Sequence, residues 1–310
     1  MKCLRDFVND YINLRRQLGF KLIEAERLLN DFVFYMESKN TLFITIQLAV
    51  AWAKKPKNAL QSCWGTRLSV VRKFSYYINT IDSRNEIIPY RLLNYSIQRG
   101  NPHIYSDDQI SKLLKACLSL KSKQGIRSYS YYTIIGLLAV TGLRVSEVTS
   151  IMMNDMDLIH GRITISKSKK QKSRIIPLHK STLQVLYKYL LYRNKISVKD
   201  KAPYLFISEL GTRITSFTVR STFIKLSHET GLRKPTDSFG PRLHDLRHTF
   251  AVKTIIQWYE KKVDVDQNMP ILSTYLGHTK VSDTYWYLSL VPELVMFSGK
   301  RLEKYLGENK

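Results

Sequence analysis

The chain has 310 residues, 44% of them apolar and 11% aromatic, which excludes the disordered and fibrous classes and allows two domains that each bury a core. Its 49 Lys+Arg against 25 Asp+Glu give a formal net charge of +24, far more than solubility needs, and such a field points to a polyanionic partner, nucleic acid first. The excess is spread out: residues 1–100 hold 16 basic and 8 acidic side chains (+8), leaving 33 and 17 (+16) for the rest, so a basic tail is excluded and both parts face the same polyanion.

The N-terminal MKCLRDFVND carries charge in every turn, unlike a signal peptide. Phe7, Tyr11, Leu14 and Leu18 then recur at helical spacing up to Gly19, a candidate C-terminal cap. Leu22, Ala25, Leu28, Leu29, Phe32 and Val33 make a second amphipathic face, and FITIQLAVAWA (43–53) a third apolar segment. A fourth, RLSVVRKFSYYINTI (67–81), sets Arg67, Arg72 and Lys73 opposite its apolar positions. These segments predict a small helical bundle over 1–98 with basic, aromatic-laced exposed faces. SIQRGNPHIYSDD (96–108) follows neither period and contains Gly100 and Pro102, which places a linker at 99–106 and a second domain at 107–310.

The second domain opens on a capping-box pattern, Ser106 with Gln109. YTIIGLLAVTGLRVSEVTSIMM (132–153) reads as a buried helix, a tight turn at Thr141-Gly142 and a second helix from about Arg144; its apolar run is far too short to span a bilayer. GRITIS (161–166), the lysine-dense turn KSKKQK and SRIIPL (173–178) form a β-hairpin, and LFIS (205–208) is a candidate third strand. From 215 onward the pattern is helical, ending in an amphipathic segment, VPELVMFSGKRLEKYLGENK (291–310). The fold class expected is mainly α with a small antiparallel β-sheet. Cys3, Cys63 and Cys117 lie far apart without CxxC pairing, which argues against disulfides and a cysteine zinc site and suits a reducing cytoplasm.

Four local patterns carry chemistry. TGLRVSEV puts Arg144 just after a glycine turn, where its planar fork suits a phosphate; an ordinary ion pair with Glu147, one turn on, accounts for it equally well. KSKKQK is either a solvated turn or a device that pushes a lysine into a nucleic-acid groove. In PRLHDLRHTFA (241–251), His244 and Arg247 share a helical face; His244 and His248 have half of a zinc-helix spacing, but Asp245 stands where that motif needs glutamate and no third ligand follows. In YLGHTKVSDTYWYLS (275–289), Tyr285 and Tyr287 point about 200° apart on a helix, so only one can reach a site and the other is expected to pack into the core. Periodicity does not choose between them.

Taken in order, Arg, lysine hairpin, His-x-x-Arg, His and Tyr, quoted as TGLRVSEV, ITISKSKKQKSRIIPL, HDLRHTFA and YLGH with a tyrosine nine residues later, resemble the tyrosine site-specific recombinases, the phage-integrase family. The resemblance covers about 103–290. It implies a helical, SAM-like core-binding domain followed by an α+β catalytic domain of the DNA breaking-rejoining fold, whose last helix docks on a neighbouring protomer; a helix folded back on its own domain accounts for that amphipathic segment equally well. Arg144 and Arg247 would grip the scissile phosphate, Glu147 would support the first of them, and His244 and His278 would fill the two histidine positions. Tyr287 would be the nucleophile and Lys167 the hairpin lysine, with Lys169 its alternative. The implied partner is double-stranded DNA bearing specific sites, bound by a homo-tetramer on two duplexes or together with related recombinases, in the cytoplasm and without metal or cofactor. The long segment between HTFA and LGH, with the TYWYLS ending, resembles transposon-borne integrases that occur in neighbouring sets. Two other functions fit the same chemistry or fold: a type IB topoisomerase-like nicking-closing enzyme, and a non-catalytic DNA-binding regulator.

Overall fold

The computed structural model describes residues 2–93, 100–122, 125–166, 173–196, 201–237, 239–290 and 296. The chain divides into two compact units, Met1–Gly100 and Asn101–Lys310.

The first unit is built from α1 (Leu4–Gln17), α2 (Ile23–Ser38), α3 (Ile46–Lys54) and α4 (Gln61–Asn79). Its core gathers Val8, Tyr11, Leu29, Phe32, Met36, Trp52, Leu68 and Phe74, with the Phe32 and Trp52 rings meeting edge to face at 5.1 Å. Each such large apolar side chain stabilises the bundle by roughly 1.5–3 kcal/mol when fully buried. Two expectations need correction. Leu14 and Leu18, counted on the apolar face of α1, are exposed, because Val8, Tyr11 and Ile12 make the contact instead. Arg67 and Arg72, expected on an exposed basic face, pack within the unit, and only Lys73 of the three is exposed. Arg67 lies over Trp52 at 3.9 Å and pairs with Asp31, and Arg72 donates from Nε to the Pro89 carbonyl while lying over Tyr90.

The second unit is mainly helical, with α5 (Asp107–Leu118), α6 (Ile126–Thr141), α7 (Val145–Val148), α8 (Lys180–Lys195), α9 (Ser216–Glu229), α10 (Asp245–Glu260), α11 (Val265–Leu276) and α12 (Ser282–Tyr285). The Ser106–Gln109 capping box is present: Ser106 Oγ accepts from the Gln109 amide and Gln109 Oε1 from the Ser106 amide. Just before it, Tyr105 is buried in this unit, its amide donating to Thr249 Oγ1 and its hydroxyl to the Arg242 carbonyl.

The antiparallel sheet has the order β1 (Met156–Asp157), β2 (Arg162–Ile165), β3 (Arg174–Pro177). Its β2–β3 hairpin pairs Ile163 with Ile176 and Ile165 with Arg174. The third strand is therefore Met156–Asp157. LFIS joins no strand: Tyr204 and Ile207 make only isolated bridges, to Met152 and Arg213, although Leu205, Phe206 and Ile207 are all buried. The second helix of the TGLRVSEV segment is a single turn. Among the described residues no helix is long and apolar enough to cross a membrane.

Candidate active site at the C-terminus of helix α11

A helix ends with carbonyls that lack intrahelical partners, and the aligned peptide dipoles make that end negative. At the end of α11, Gly277 takes the left-handed conformation (φ +69°) and closes a Schellman turn: its amide donates to the Thr274 carbonyl and the His278 amide to that of Ser273, both at 2.9 Å. The next three carbonyls go to three arginines from three different elements. Arg174 Nε donates to Tyr275 O at 2.7 Å, Arg247 Nη2 to Leu276 O at 2.6 Å and Arg144 Nη2 to Gly277 O at 3.1 Å. The YLGH tetrapeptide is thus a cationic receptor built from backbone.

A second left-handed glycine terminates α6. Gly142 (φ +61°) frees its carbonyl to accept Arg247 Nη1 at 2.9 Å. A Cβ there would stand 2.6 Å from Phe250 Cδ1, so glycine is required both by conformation and by space. Arg247 is therefore bound between two helix C-termini and is only 2% exposed. Burial, reinforced by Arg144 and opposed by the neighbouring Tyr287 oxygen, lowers its pKa to about 10, which leaves it cationic at neutral pH.

Arg144 caps α7. Its amide donates to Glu147 Oε2 at 2.9 Å and its Nη1 to Oε1 at 3.0 Å, while its side chain stays 30% exposed. Of the two readings left open by the sequence, the ion pair with Glu147 exists, and it leaves the guanidinium partly accessible. Glu147 is buried and also receives Arg174 bidentately, at 3.0 and 2.8 Å. Burial pulls its carboxyl pKa upward, but the hydrogen bonds from Arg174 and from the Arg144 amide outweigh that and hold it below the usual range. Two guanidiniums, those of Arg144 and Arg174, bind this single carboxylate.

The histidines and tyrosines complete the cluster. His244 is the N-cap of α10 and meets His248 edge to face at 4.9 Å. His248 lies 5.6 Å from the Tyr287 ring and 5.5 Å from Trp286. His278 stacks near-parallel with Tyr287 at 6.2 Å, and its Nδ1 shares a hydrogen bond of 2.8 Å with Thr284 Oγ1. All three imidazoles are held below their ordinary pKa. Burial is the main cause in each, helped by Arg247 at His244, by His244 at His248 and by Arg247 at His278; His248 and His278 fall to about 4. They are neutral rings at pH 7, able to accept a proton.

Tyr287 is 2% exposed and belongs to the core formed by α10 and α11, whereas Tyr285 is 40% exposed. This corrects the expectation that Tyr285 packs into the core. The two do point apart, but the ring outside the site faces solvent. Lys167, Lys169 and the 291–310 segment lie outside the described residues, apart from Met296. Among the described residues no group of three His, Cys, Asp or Glu side chains could hold a metal ion.

Two members of the cluster, Arg174 and His248, were not singled out as site residues from the sequence. Arg174 did leave a signal: along SRIIPL it lies two residues from buried Ile176, so strand alternation turns it to the same inward side. His248 was weighed only as a zinc ligand.

Residues 104–293 match the family model described as Phage integrase family. The chain belongs to that family. It is 44% identical over 308 residues to the putative integrase/recombinase y4rB of Sinorhizobium fredii (strain NBRC 101917 / NGR234), covering 98% of each chain. It is 30% identical over 227 residues to the tyrosine recombinase XerC of Thermodesulfovibrio yellowstonii (strain ATCC 51303 / DSM 11347 / YP87), covering 71% of this chain and 69% of that one. Its fold is that of the Tn1549 transposon integrase solved with transposon right end DNA, with a TM-score of 0.70 at 17% identity over 98% of this chain and 99% of that one. As a phage-integrase family member the chain is a tyrosine recombinase, an enzyme of site-specific DNA recombination.

Proposed function

We propose that Tyr287 cleaves DNA at one phosphodiester, and that the recombinase serves the integration, excision or transposition of a mobile element. The observation that carries this reading is that Arg144 and Arg247 bind the α11 terminus, while His278, which follows it, stacks with Tyr287, and His244 is linked to Tyr287 through His248. A phosphodiester resists attack because its oxygens repel a nucleophile. Arg144 and Arg247 aimed at the non-bridging oxygens stabilise the charge that grows in the pentacoordinate transition state. Both are held by neutral carbonyls or a shared carboxylate, so most of their charge remains available to the phosphate.

A phenol has a pKa of about 10 and needs an acceptor for its proton; neutral His244 is that acceptor, and His278 steadies the ring and the phosphate. Tyr287 Oη bonds to phosphorus, the bond to the 5′-oxygen breaks, and Lys167, or Lys169 in its place, delivers a proton to that oxygen. The 3′-phosphotyrosine keeps the bond energy, so rejoining to another 5′-hydroxyl requires no ATP. Because Tyr287 is buried in the free chain, the short α12 and the single turn Trp286–Ser289 shift to admit the phosphate, as segments with few stabilising turns readily do.

In this reading residues 1–98 form the core-type DNA-binding domain, 99–106 the linker and 107–310 the catalytic domain with its docking helix. Four protomers, of this chain or with related recombinases, bind two duplexes in the cytoplasm. The likeness to y4rB and to a transposon integrase supports the mobile-element assignment. Its test is recovery and sequencing of DNA covalently trapped by the protein from a fragment library. The expected result is a few sequences at the ends of an inserted element; adducts spread without sequence preference would contradict it.

A further inference from the structure

We propose that Arg174 is a positioning residue for cleavage: it locks Glu147 and the end of α11 so that Arg144 presents its open edge to the phosphate. The proposal rests on the role given to Arg144 above. Arg174 directs both terminal nitrogens at the two Glu147 oxygens and its Nε at Tyr275 O. With three of its five N–H groups engaged and its side chain 10% exposed, it is not itself offered to DNA.

What it holds is the carboxylate that orients Arg144. Glu147 Oε1 accepts from Arg144 Nη1 and from Arg174 Nη1, each at 3.0 Å, and Oε2 from the Arg144 amide and Arg174 Nη2. A carboxylate with four donors has one orientation; with two of them removed it rotates, and Arg144 turns with it. Gly277 allows the two cations to share one turn: a Cβ there would stand 2.9 Å from Arg174 Nη1 and 3.5 Å from Arg144 Nη1. Arg174 also opens β3 opposite Ile165, the last residue of β2. The same side chain therefore ties the base of the β2–β3 hairpin to the α11 terminus.

The test is single-turnover cleavage of a nicked suicide substrate, with DNA affinity measured alongside. Displacing a catalytic group by about 1 Å can cost about a hundredfold. Arg174→Gln is expected to slow cleavage by roughly 30- to 100-fold while the Kd for DNA stays within about threefold. Arg174→Lys, which keeps the charge but not the bidentate geometry, should recover about a third to a tenth of the lost rate on the same reasoning. If Arg174 acts through Glu147, the double variant Arg174→Gln/Glu147→Gln cleaves no more slowly than the slower single variant. Multiplying effects in the double variant, wild-type cleavage by Arg174→Gln, or a Kd that rises in step with the lost rate would each overturn the proposal. Should Arg174→Gln fail to melt cooperatively, Arg174→Lys carries the comparison, and its cleaving at the wild-type rate overturns the proposal. Arg144→Ala separates the two layers: normal cleavage by that variant overturns the role of Arg144 itself. Loss of cleavage in Arg144→Ala beside wild-type cleavage in the Arg174 variants overturns only the positioning role.

Discussion

In the helical unit many arginines meet carboxylates one to one at the surface: Arg5 with Glu37, Arg16 with Glu26, Arg27 with Glu24 and Arg84 with Asp82. At the end of α11 the arrangement is different, since Arg144 and Arg174 share one carboxylate, Glu147, and together with Arg247 they take four backbone carbonyls. A carbonyl satisfies an N–H without cancelling its charge. The surface pairs contribute little and are screened by salt, whereas the α11 cluster keeps surplus positive charge fixed in direction and partly shielded from water. A net charge of +24 tells which partner the protein meets; only oriented, uncancelled charge tells where chemistry can happen.

The sharpest way to break this contrast is at Arg247. Arg247→Ala removes a buried cation and strands two carbonyls, so cleavage is expected to fall by at least about a thousandfold, with a stability loss of about 1–3 kcal/mol for each carbonyl left buried without a donor. Single-turnover cleavage and thermal melting measure the two effects. Next comes Gly277→Ala, which forces a side chain into the left-handed region against Arg174 and Arg144. It should cost about 1–3 kcal/mol and slow cleavage roughly in the range expected for Arg174→Gln.

Acid is a gentler probe. The unfolded chain takes up protons on its histidines near pH 6.5, but folded His248 and His278 resist until about pH 4. The stability they contribute is complete above about pH 6.5 and is lost progressively as the pH falls toward 4. Tm measured at pH 7, 6 and 5 should decline, and His248→Phe, which keeps an aromatic ring between His244 and Trp286, should flatten the decline. At the small end, Arg27→Ala in the helical unit should leave both cleavage and Tm unchanged, because its partner Glu24 is just as exposed.

What the sequence revealed follows the same division. Elements with strong periodicity or local caps were legible: the Ser106 capping box, the hairpin and the helix ending at Gly142. Polar residues whose meaning depends on distant partners were less so. Arg174 reaches Glu147 and Tyr275, 27 and 101 residues away in sequence, and no local pattern encodes either contact. Arg67 and Arg72 misled for the opposite reason, since a basic residue opposite an apolar stripe ordinarily faces solvent; Trp52 and the Pro89 carbonyl, brought in from other segments, cover them. At Tyr285 helical geometry correctly separated the two tyrosines, but the side away from the site proved to be open to solvent.

The claim that the α11 terminus is built to present Tyr287 is tested most directly by covalent trapping. Tyr287→Phe and Tyr285→Phe are each mixed with a nicked suicide substrate, and the protein–DNA adduct is read on a denaturing gel beside a binding assay. The account predicts no adduct for Tyr287→Phe with binding retained, and normal adduct for Tyr285→Phe; an adduct that survives in Tyr287→Phe and disappears in Tyr285→Phe would contradict it.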